Sequence, residues 1–415
     1  MATLTVKNVG PIREAELEVK KHTVFIGPQG SGKSTLAKLI AIGGDKGITV
    51  NGSRLPHQYE MQNLLKKHSS IVFKDINYEF ILNSIQPDFK LTDNGKALLK
   101  IMQGNRLNER INQEIDPDLL SFLRSKKSER SLLLSSTPEE QLEITIKTHI
   151  VQEKIRALSD EIYNTDLVNI IDNNTIYIAA ERTLIAVLSN AIWSLLNSDI
   201  NFPKTITNLG RLFEEARNTG DTLNISFLDI KYKRENGNDL VYHTPDDAVI
   251  LSQSASGYQS IVPLLLIVEH QRQQSQCRFI VEEPELNLYP TAQKDLIYSL
   301  MSGLDPEAEY QDAEWVITTH SPYVLSSFNT LMLAYKVAQK SDELRAEVEK
   351  LIPARCWINP DEFAAYYVDN GTVRSIISEK TGLIDENELD GVSDTLADEQ
   401  EALFELNRTA RQPRA

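Results

Sequence analysis

The sequence predicts an α/β fold of the phosphate-binding-loop type: a mixed sheet with flanking helices, an N-terminal β-meander, a helical insertion and a small C-terminal α+β region. Three stretches carry that expectation. Thr23-Val-Phe-Ile26 is an apolar strand that runs through the Gly-rich string Gly27 to Ser34, G-x-x-x-x-G-K-S, into a helix. Arg278-Phe-Ile-Val-Glu-Glu-Pro-Glu285 is an apolar strand ending in paired acids. Trp315-Val-Ile-Thr-Thr-His-Ser-Pro322 is another, ending at a histidine.

Taken in order, the chain opens with an alternation of Leu4 and Val6, then Ala15, Leu17 and Val19, on either side of Gly10-Pro11. That pattern predicts two strands and a turn, a β-meander leading into the loop strand. Leu36-Ala-Lys-Leu-Ile40 continues the loop as a helix. Residues 51–164 then turn to long, polar, helix-favouring segments, which predicts a helical insertion between the two segments of the main domain, 1–50 and 165–330. Thr137-Pro-Glu-Glu140 supplies an N-cap, a proline at the first helical position and an acid at the third. Leu142, Ile146, Ile150, Ile155, Leu158 and Ile162 follow as one amphipathic stripe. The basic run Arg124 to Arg130 is expected to be a solvated face, with nucleic-acid contact the sharper alternative.

A strand returns at Thr175 to Ala179, followed by Ala180-Glu-Arg-Thr183 and an apolar helix through Trp193. Leu223 to Ile230 and Leu240 to His243 are expected as strands around the Asn236-Gly237 turn. Ile261 to Val268 is an apolar helix. Residues 331–415 are expected to form a C-terminal region offering a partner-docking element. It holds a helix from Lys340 to Leu351, a hairpin from Ala364 to Ile377 turned at Asn370-Gly371, and an acidic tail from Asp385 to Glu399. The end from Arg408 is expected to fray.

Composition narrows the classes. The chain has 415 residues, 41% hydrophobic and 25% charged, ordinary values for a globular protein of two or three domains. No apolar run is long enough to span a bilayer, and Met1-Ala-Thr-Leu-Thr-Val6 lacks the regions of a signal peptide, so a cytoplasmic protein without a membrane role is expected. Cys277 and Cys356 stand far apart with no Cys-x-x-Cys pair, which suggests neither a disulfide framework nor a zinc site. A formal charge of −16 argues against a surface moulded on nucleic acid, while leaving room for a local basic groove.

The loop chemistry is specific. Gly27, Gly30 and Gly32, spaced by Pro28, Gln29 and Ser31, allow successive N–H groups to turn toward a phosphate, and the helix opening at Lys33-Ser34-Thr35 points its positive end at the same anion. Lys33 is placed to reach the β- and γ-phosphates and Ser34 to offer a hydroxyl to Mg²⁺. A nucleoside triphosphate with Mg²⁺ is therefore the expected ligand, which the resemblance named below narrows to ATP. The paired acids divide the labour: Glu282 for the Mg²⁺ hydration shell, Glu283 for the attacking water.

Two further strings complete a set. Ser256-Gly257-Tyr258-Gln259, at the start of an apolar helix, resembles the signature motif of ABC-type ATPases, whose Ser-Gly turn reaches across a dimer to the γ-phosphate of the partner. Tyr258, where transporters carry a second glycine, resembles the SMC, RecF and OLD branch instead, and Glu282, where most ABC proteins carry aspartate, resembles the OLD-like ATPases. Asn287-Leu-Tyr-Pro290 fits the D-loop, and His320 matches the switch histidine. Glu181-Arg182 resembles an Ala-Glu-Arg element of prokaryotic defence ATPases, against the plainer alternative of a surface salt-bridge pair. Gln58 and Gln62 are Q-loop candidates by order alone.

As a whole the pattern resembles an OLD-like, RecF-like ABC-type ATPase head without a nuclease domain, since no Asp-x-Asp follows His320. Within that class it is most similar to the ATPase subunits of bacterial anti-phage systems, the Septu type (PtuA) and its retron-associated relatives. The resemblance implies an ATPase with no nuclease activity of its own that works as a homodimer or higher oligomer. It also implies control of a separately encoded effector such as an HNH nuclease. The alternative is a DNA-repair or chromosome-maintenance ATPase of the RecF and SMC kind that binds DNA directly. A transporter subunit stands third.

Overall fold

The computed structural model describes residues 2–45, 58–75, 77–83, 86–92, 96, 174–188, 202–219, 222–384 and 398–404. The expected cap at Thr137, the stripe from Leu142 to Ile162, the Arg124 to Arg130 run, the helix end at Trp193, most of the acidic tail and the last residues from Arg408 lie outside them. The chain divides into two compact units, one of Met1–Lys74, Phe80–Asp88 and Asn173–Ala415, the other of Asp75–Glu79 and Phe89–Asp172. Every site residue belongs to the first.

The central element is a six-stranded sheet in the order β15-β14-β3-β13-β12-β7. Its strands are β3 (His22–Ile26), β7 (Asn174–Ile178), β12 (Cys277–Glu282), β13 (Ala313–Thr319), β14 (Phe363–Asp369) and β15 (Thr372–Ser375). All neighbours are parallel except β15, which returns antiparallel beside β14. Every residue of β3 and β12 is buried, as a parallel sheet covered on both faces requires. Phe279 and Trp315 stack at 4.8 Å between β12 and β13.

Helix α1 (Lys33–Gly43) packs on β12, β13 and β7, with Leu36, Ala37, Leu39 and Ile40 among its buried residues. Helices α2 (Thr183–Val187), α3 (Lys204–Arg217) and α4 (Ser256–Gln274) pack on one another, and α4 also meets β12. Helices α5 (Pro290–Ser302), α6 (Pro322–Ala338) and α7 (Asp342–Leu351) follow the paired acids and the histidine. Ser321 caps α6, accepting from the N–H groups of Tyr323 and Val324.

The expected meander is β1 (Ala2–Val9) and β2 (Ile12–Val19), antiparallel about Gly10-Pro11. It belongs to a second sheet, β2-β1-β4-β5-β6, with β4 (Leu65–Lys74), β5 (Tyr78–Asn83) and β6 (Gln86–Leu91). These three stretches, Leu65–Lys74, Tyr78–Asn83 and Gln86–Leu91, expected within the helical insertion, are thus strands. The alternation of buried Ile71 and Phe73, then Tyr78, Phe80 and Leu82, has a period of two but is short and set among polar residues. Opposite Val6 and Leu4 of β1, Ile71 and Phe73 find their core partners.

A third, four-stranded sheet holds β8 (Leu223–Ile225), β9 (Ile230–Glu235), β10 (Asn238–Thr244) and β11 (Asp247–Ile250). The Asn236-Gly237 turn joins β9 to β10, with positive φ at both residues as a type I′ hairpin needs.

The largest departure concerns the C-terminal region. The hairpin turned at Asn370-Gly371 is present as β14 and β15, and β14 lies directly beside the loop strand β3, Tyr367 opposite Ile26. It is part of the sheet that carries the phosphate loop. Its run Phe363 to Val368 is wholly buried.

Candidate functional site

The carboxyl ends of parallel strands are where an open α/β sheet presents its chemistry. Here β3 delivers Gly27, β12 delivers Glu282 and Glu283, and β13 delivers His320. Lys33, the first residue of α1, is buried and donates from Nζ to the carbonyls of Gly27 and Pro28, 2.9 Å each. Burial lowers the Lys33 pKa, while Glu283, Glu282 and Glu285 nearby oppose that shift. Pro28, Gln29 and Gly30 form the exposed tip of the loop, beside Arg13 and Asn370. Ser34 is exposed at the helix start, and Thr35 is buried. Ser31 has its hydroxyl buried without a protein partner.

Gly27 is fixed by its neighbours. Its φ is +148°, and a Cβ there would lie 2.1 Å from the Val368 carbonyl oxygen of β14. The loop therefore leaves the sheet against the backbone of the C-terminal hairpin. That hairpin is held in turn by Arg13, which donates from its side chain to the Asn370 carbonyl and from its backbone N–H to the Gly371 carbonyl at 2.8 Å.

The acids differ in environment. Glu282 is buried, with Oε1 lacking a hydrogen-bond partner. Tyr177 of β7 is buried beside it, and burial together with that carboxylate raises the phenol pKa well above its ordinary value. Glu283 is half-exposed with φ +43°, a left-handed conformation uncommon outside glycine, and its N–H donates to the Thr318 carbonyl at 2.8 Å. Its Oε1 stands 3.5 Å from His320 Nε2. Burial, then Lys33, lower the His320 pKa against the pull of Glu283, so the imidazole favours the neutral form. Glu285 is buried, and its Oε1 accepts from Thr319 Oγ1 at 2.6 Å and from the His320 N–H at 3.1 Å. This acid ties the turn after β12 to the turn after β13.

Arg182 is the residue that sequence reasoning undervalued. It is wholly buried, not half of a surface pair. The guanidinium donates to the carbonyls of Ala179, Ser260, Glu282, Glu283 and Pro284. Burial draws its pKa down to about 10, resisted by Glu285, Glu283, Glu282 and Glu181. The available signal was positional: an arginine directly after an apolar strand end, Ile178-Ala179-Ala180.

The signature turn sits on α4. Ser256 is exposed, and a Cβ on Gly257 would come within 3.0 Å of the Asn287 carbonyl, so the turn rests on the D-loop. Gln259 spends its amide on the carbonyls of Ser252 and Ser254, shaping the approach to the helix. The structure thus gathers Lys33, Glu282, Glu283 and His320 around the loop, and places Ser256, Gly257 and Gln259 on a separate turn beside Asn287. Gln58 begins a short turn and Gln62 a 3-10 segment before β4.

These residues fit a magnesium-bound triphosphate. An orphaned buried carboxylate oxygen on Glu282 wants a cation or its water shell, and Ser34 offers the second oxygen ligand. The loop N–H groups, Lys33 and the α1 N-terminus supply the anion site. Bound there, the magnesium nucleotide would provide a polarised terminal phosphoryl group. Glu283 and His320 are the side chains placed to hold and orient a water against it.

A family model described as an AAA ATPase domain matches residues 1–325 of the chain. No curated protein matches it. Among solved structures, the Smc head domain from Pyrococcus furiosus, with an extended coiled coil and bound to the C-terminal domain of ScpA, is similar at 11% identity and a TM-score of 0.35, covering 91% of this chain and 96% of that one. The SMC head domain from Thermotoga maritima gives 10% identity and a TM-score of 0.36, over 91% of this chain and 98% of that one.

Proposed function

The chain belongs to the AAA ATPase domain family, and from that premise we propose that it binds and hydrolyses ATP as one subunit of a dimer or higher oligomer and thereby controls a separately encoded effector. The observation that carries the enzymatic part is Glu283: strained, half-exposed, 3.5 Å from His320 and next to Glu282, whose buried Oε1 lacks a hydrogen-bond partner. A carboxylate held in that conformation at the end of a buried strand has the placement of a water-orienting group. Lys33 anchors the terminal phosphates, and Ser34 and Glu282 hold Mg²⁺.

The oligomeric part is supported by the separation of motifs. Gly257 rests on Asn287 while the phosphate loop rests on β14, and Ser256 is exposed, which suits the signature turn to serve a partner subunit. Closure over ATP, hydrolysis and reopening then form the working cycle. The effector part is supported by the sequence resemblance to Septu-type and retron-associated defence ATPases, with an HNH nuclease the expected class of partner, in the cytoplasm. No helix among the described residues is long and apolar enough to cross a membrane.

The variant Glu283→Gln is expected to bind ATP and accumulate as an ATP-bound dimer by light scattering. Hydrolysis by this variant at the wild-type rate sinks the catalytic assignment. Affinity purification from the native host, with and without ATP, is expected to retain an effector protein. Recovery of DNA instead, with DNA-stimulated hydrolysis that fades as salt rises, would favour the RecF and SMC kind of function over this one.

A further inference from the structure

Arginine offers five N–H donors in a rigid planar fork. In Arg182 each of them meets a carbonyl: Nε that of Ser260 at 3.1 Å, Nη1 those of Ala179 at 3.4 Å and Glu282 at 2.8 Å, Nη2 those of Glu283 at 2.6 Å and Pro284 at 3.1 Å. Two of these carbonyls belong to the peptide planes on either side of the Glu283 α-carbon. A third lies in the second turn of α4, the helix that begins at the signature motif.

That arrangement has a mechanical meaning. Holding both flanking peptide planes fixes φ and ψ of Glu283, and so fixes the direction of its side chain toward His320. The Glu283 N–H is gripped from the other side by Thr318. A left-handed non-glycine residue is strained and persists only where its surroundings over-determine it. Arg182 is what over-determines it here. A burial-driven role alone would not need a cation, because an apolar side chain fills such a space without the cost of desolvating a charge. The carbonyl dipoles converging on it, and the carboxylates of Glu285, Glu283, Glu282 and Glu181 around it, make the charge tolerable.

We propose that Arg182 is a positioning residue that sets the catalytic orientation of Glu283 and couples it to the signature helix through the Ser260 carbonyl. Displacement of α4, when Ser256 and Gly257 engage a nucleotide, is transmitted through one rigid guanidinium to the turn that carries Glu283. The proposal rests on Glu283 acting on the attacking water.

The test compares wild type, Arg182→Lys, Glu283→Gln and the double variant, with kcat and KM for ATP hydrolysis, MgATP affinity by calorimetry, and melting. Lysine keeps the charge but lacks the fork. Arg182→Lys is expected to lower kcat by about 100-fold, the scale of an ångström-level misplacement, with MgATP affinity unchanged within about threefold. Added to Glu283→Gln, it is expected to cost almost nothing further, because both act on one group. A folded Arg182→Lys protein with wild-type kcat, or one that loses affinity as much as rate, overturns the proposal and leaves Glu283 as the catalytic carboxylate. Wild-type hydrolysis by Glu283→Gln overturns the catalytic assignment and the positioning role together. Should Arg182→Lys fail to fold, hydrogen exchange on the wild-type protein decides: MgATP is expected to protect residues 256–262 and 282–286 together, and protection of one without the other overturns the coupling.

Discussion

Replacing Gly27 by alanine tests the packing of the phosphate loop against the C-terminal hairpin. The new Cβ would stand 2.1 Å from the Val368 carbonyl oxygen, so one of the two backbones must retreat by about 1 Å to restore van der Waals contact. Val368 lies next to Tyr367, which is opposite Ile26 in the β3–β14 ladder, so the retreat disturbs the end of that pairing. A φ of +148° adds a backbone penalty of on the order of 3 kcal/mol for any residue with a Cβ, and a lost ladder bond about 1 kcal/mol more. Gly27→Ala is therefore expected to cost about 4 kcal/mol in urea unfolding of the nucleotide-free protein. Gly30→Ala is the control. Its φ is +75° and a Cβ there meets nothing within 4 Å, so only the left-handed penalty of about 1 kcal/mol applies. Equal stability of the two variants would refute the close approach of β14 to the loop.

Lys33→Ala is expected to abolish MgATP binding by calorimetry, since it removes the ammonium from the anion site; undiminished binding would count against the loop assignment. His22, buried at the start of β3, has its pKa drawn down to about 3, mainly by burial and further by Lys21, with Asp312 opposing. The unfolded chain binds a proton there below about pH 6.5 that the folded chain refuses, so stability is present above that pH and is lost as pH falls toward 3. The full loss is up to about 5 kcal/mol. His22→Leu is expected to flatten the dependence of melting temperature on pH between these limits, and an unchanged slope would show that this histidine titrates normally.

The loop, the paired acids and the histidine were legible because each couples a short apolar strand to a polar residue type that such a strand end rarely carries by chance. Their order along the chain then placed them on one sheet. The meander and the Asn236-Gly237 and Asn370-Gly371 turns were legible for a local reason, turn chemistry between alternating runs. What local pattern could not show was which strands become neighbours. Phe363 to Asp369 reads as half of an isolated hairpin, and only the sheet order reveals that its other side is closed by β3. The apolar positions of β4 and β5 come as short runs among charged and polar residues rather than as a clean alternation, and β4 is fixed as a strand because β1 offers an unpaired edge with Leu4 and Val6 on its core side. Arg182 was ambiguous for a related reason. A charged residue beside Glu181 suggests solvent until the carbonyls of three separate segments are found around it.

The position of β14 bears on how the chain is to be divided in the laboratory. The family match stops at residue 325, inside α6, and an expression boundary drawn there would keep every residue of the phosphate loop, the paired acids and the histidine. It would also strip one flank of β3, exposing the edge of a fully buried strand and removing the carbonyl against which Gly27 turns. A fragment so cut would carry an intact motif set on an incomplete scaffold, with a raw edge inviting aggregation. A fragment meant to keep the scaffold of the loop strand therefore extends through the 363–375 hairpin.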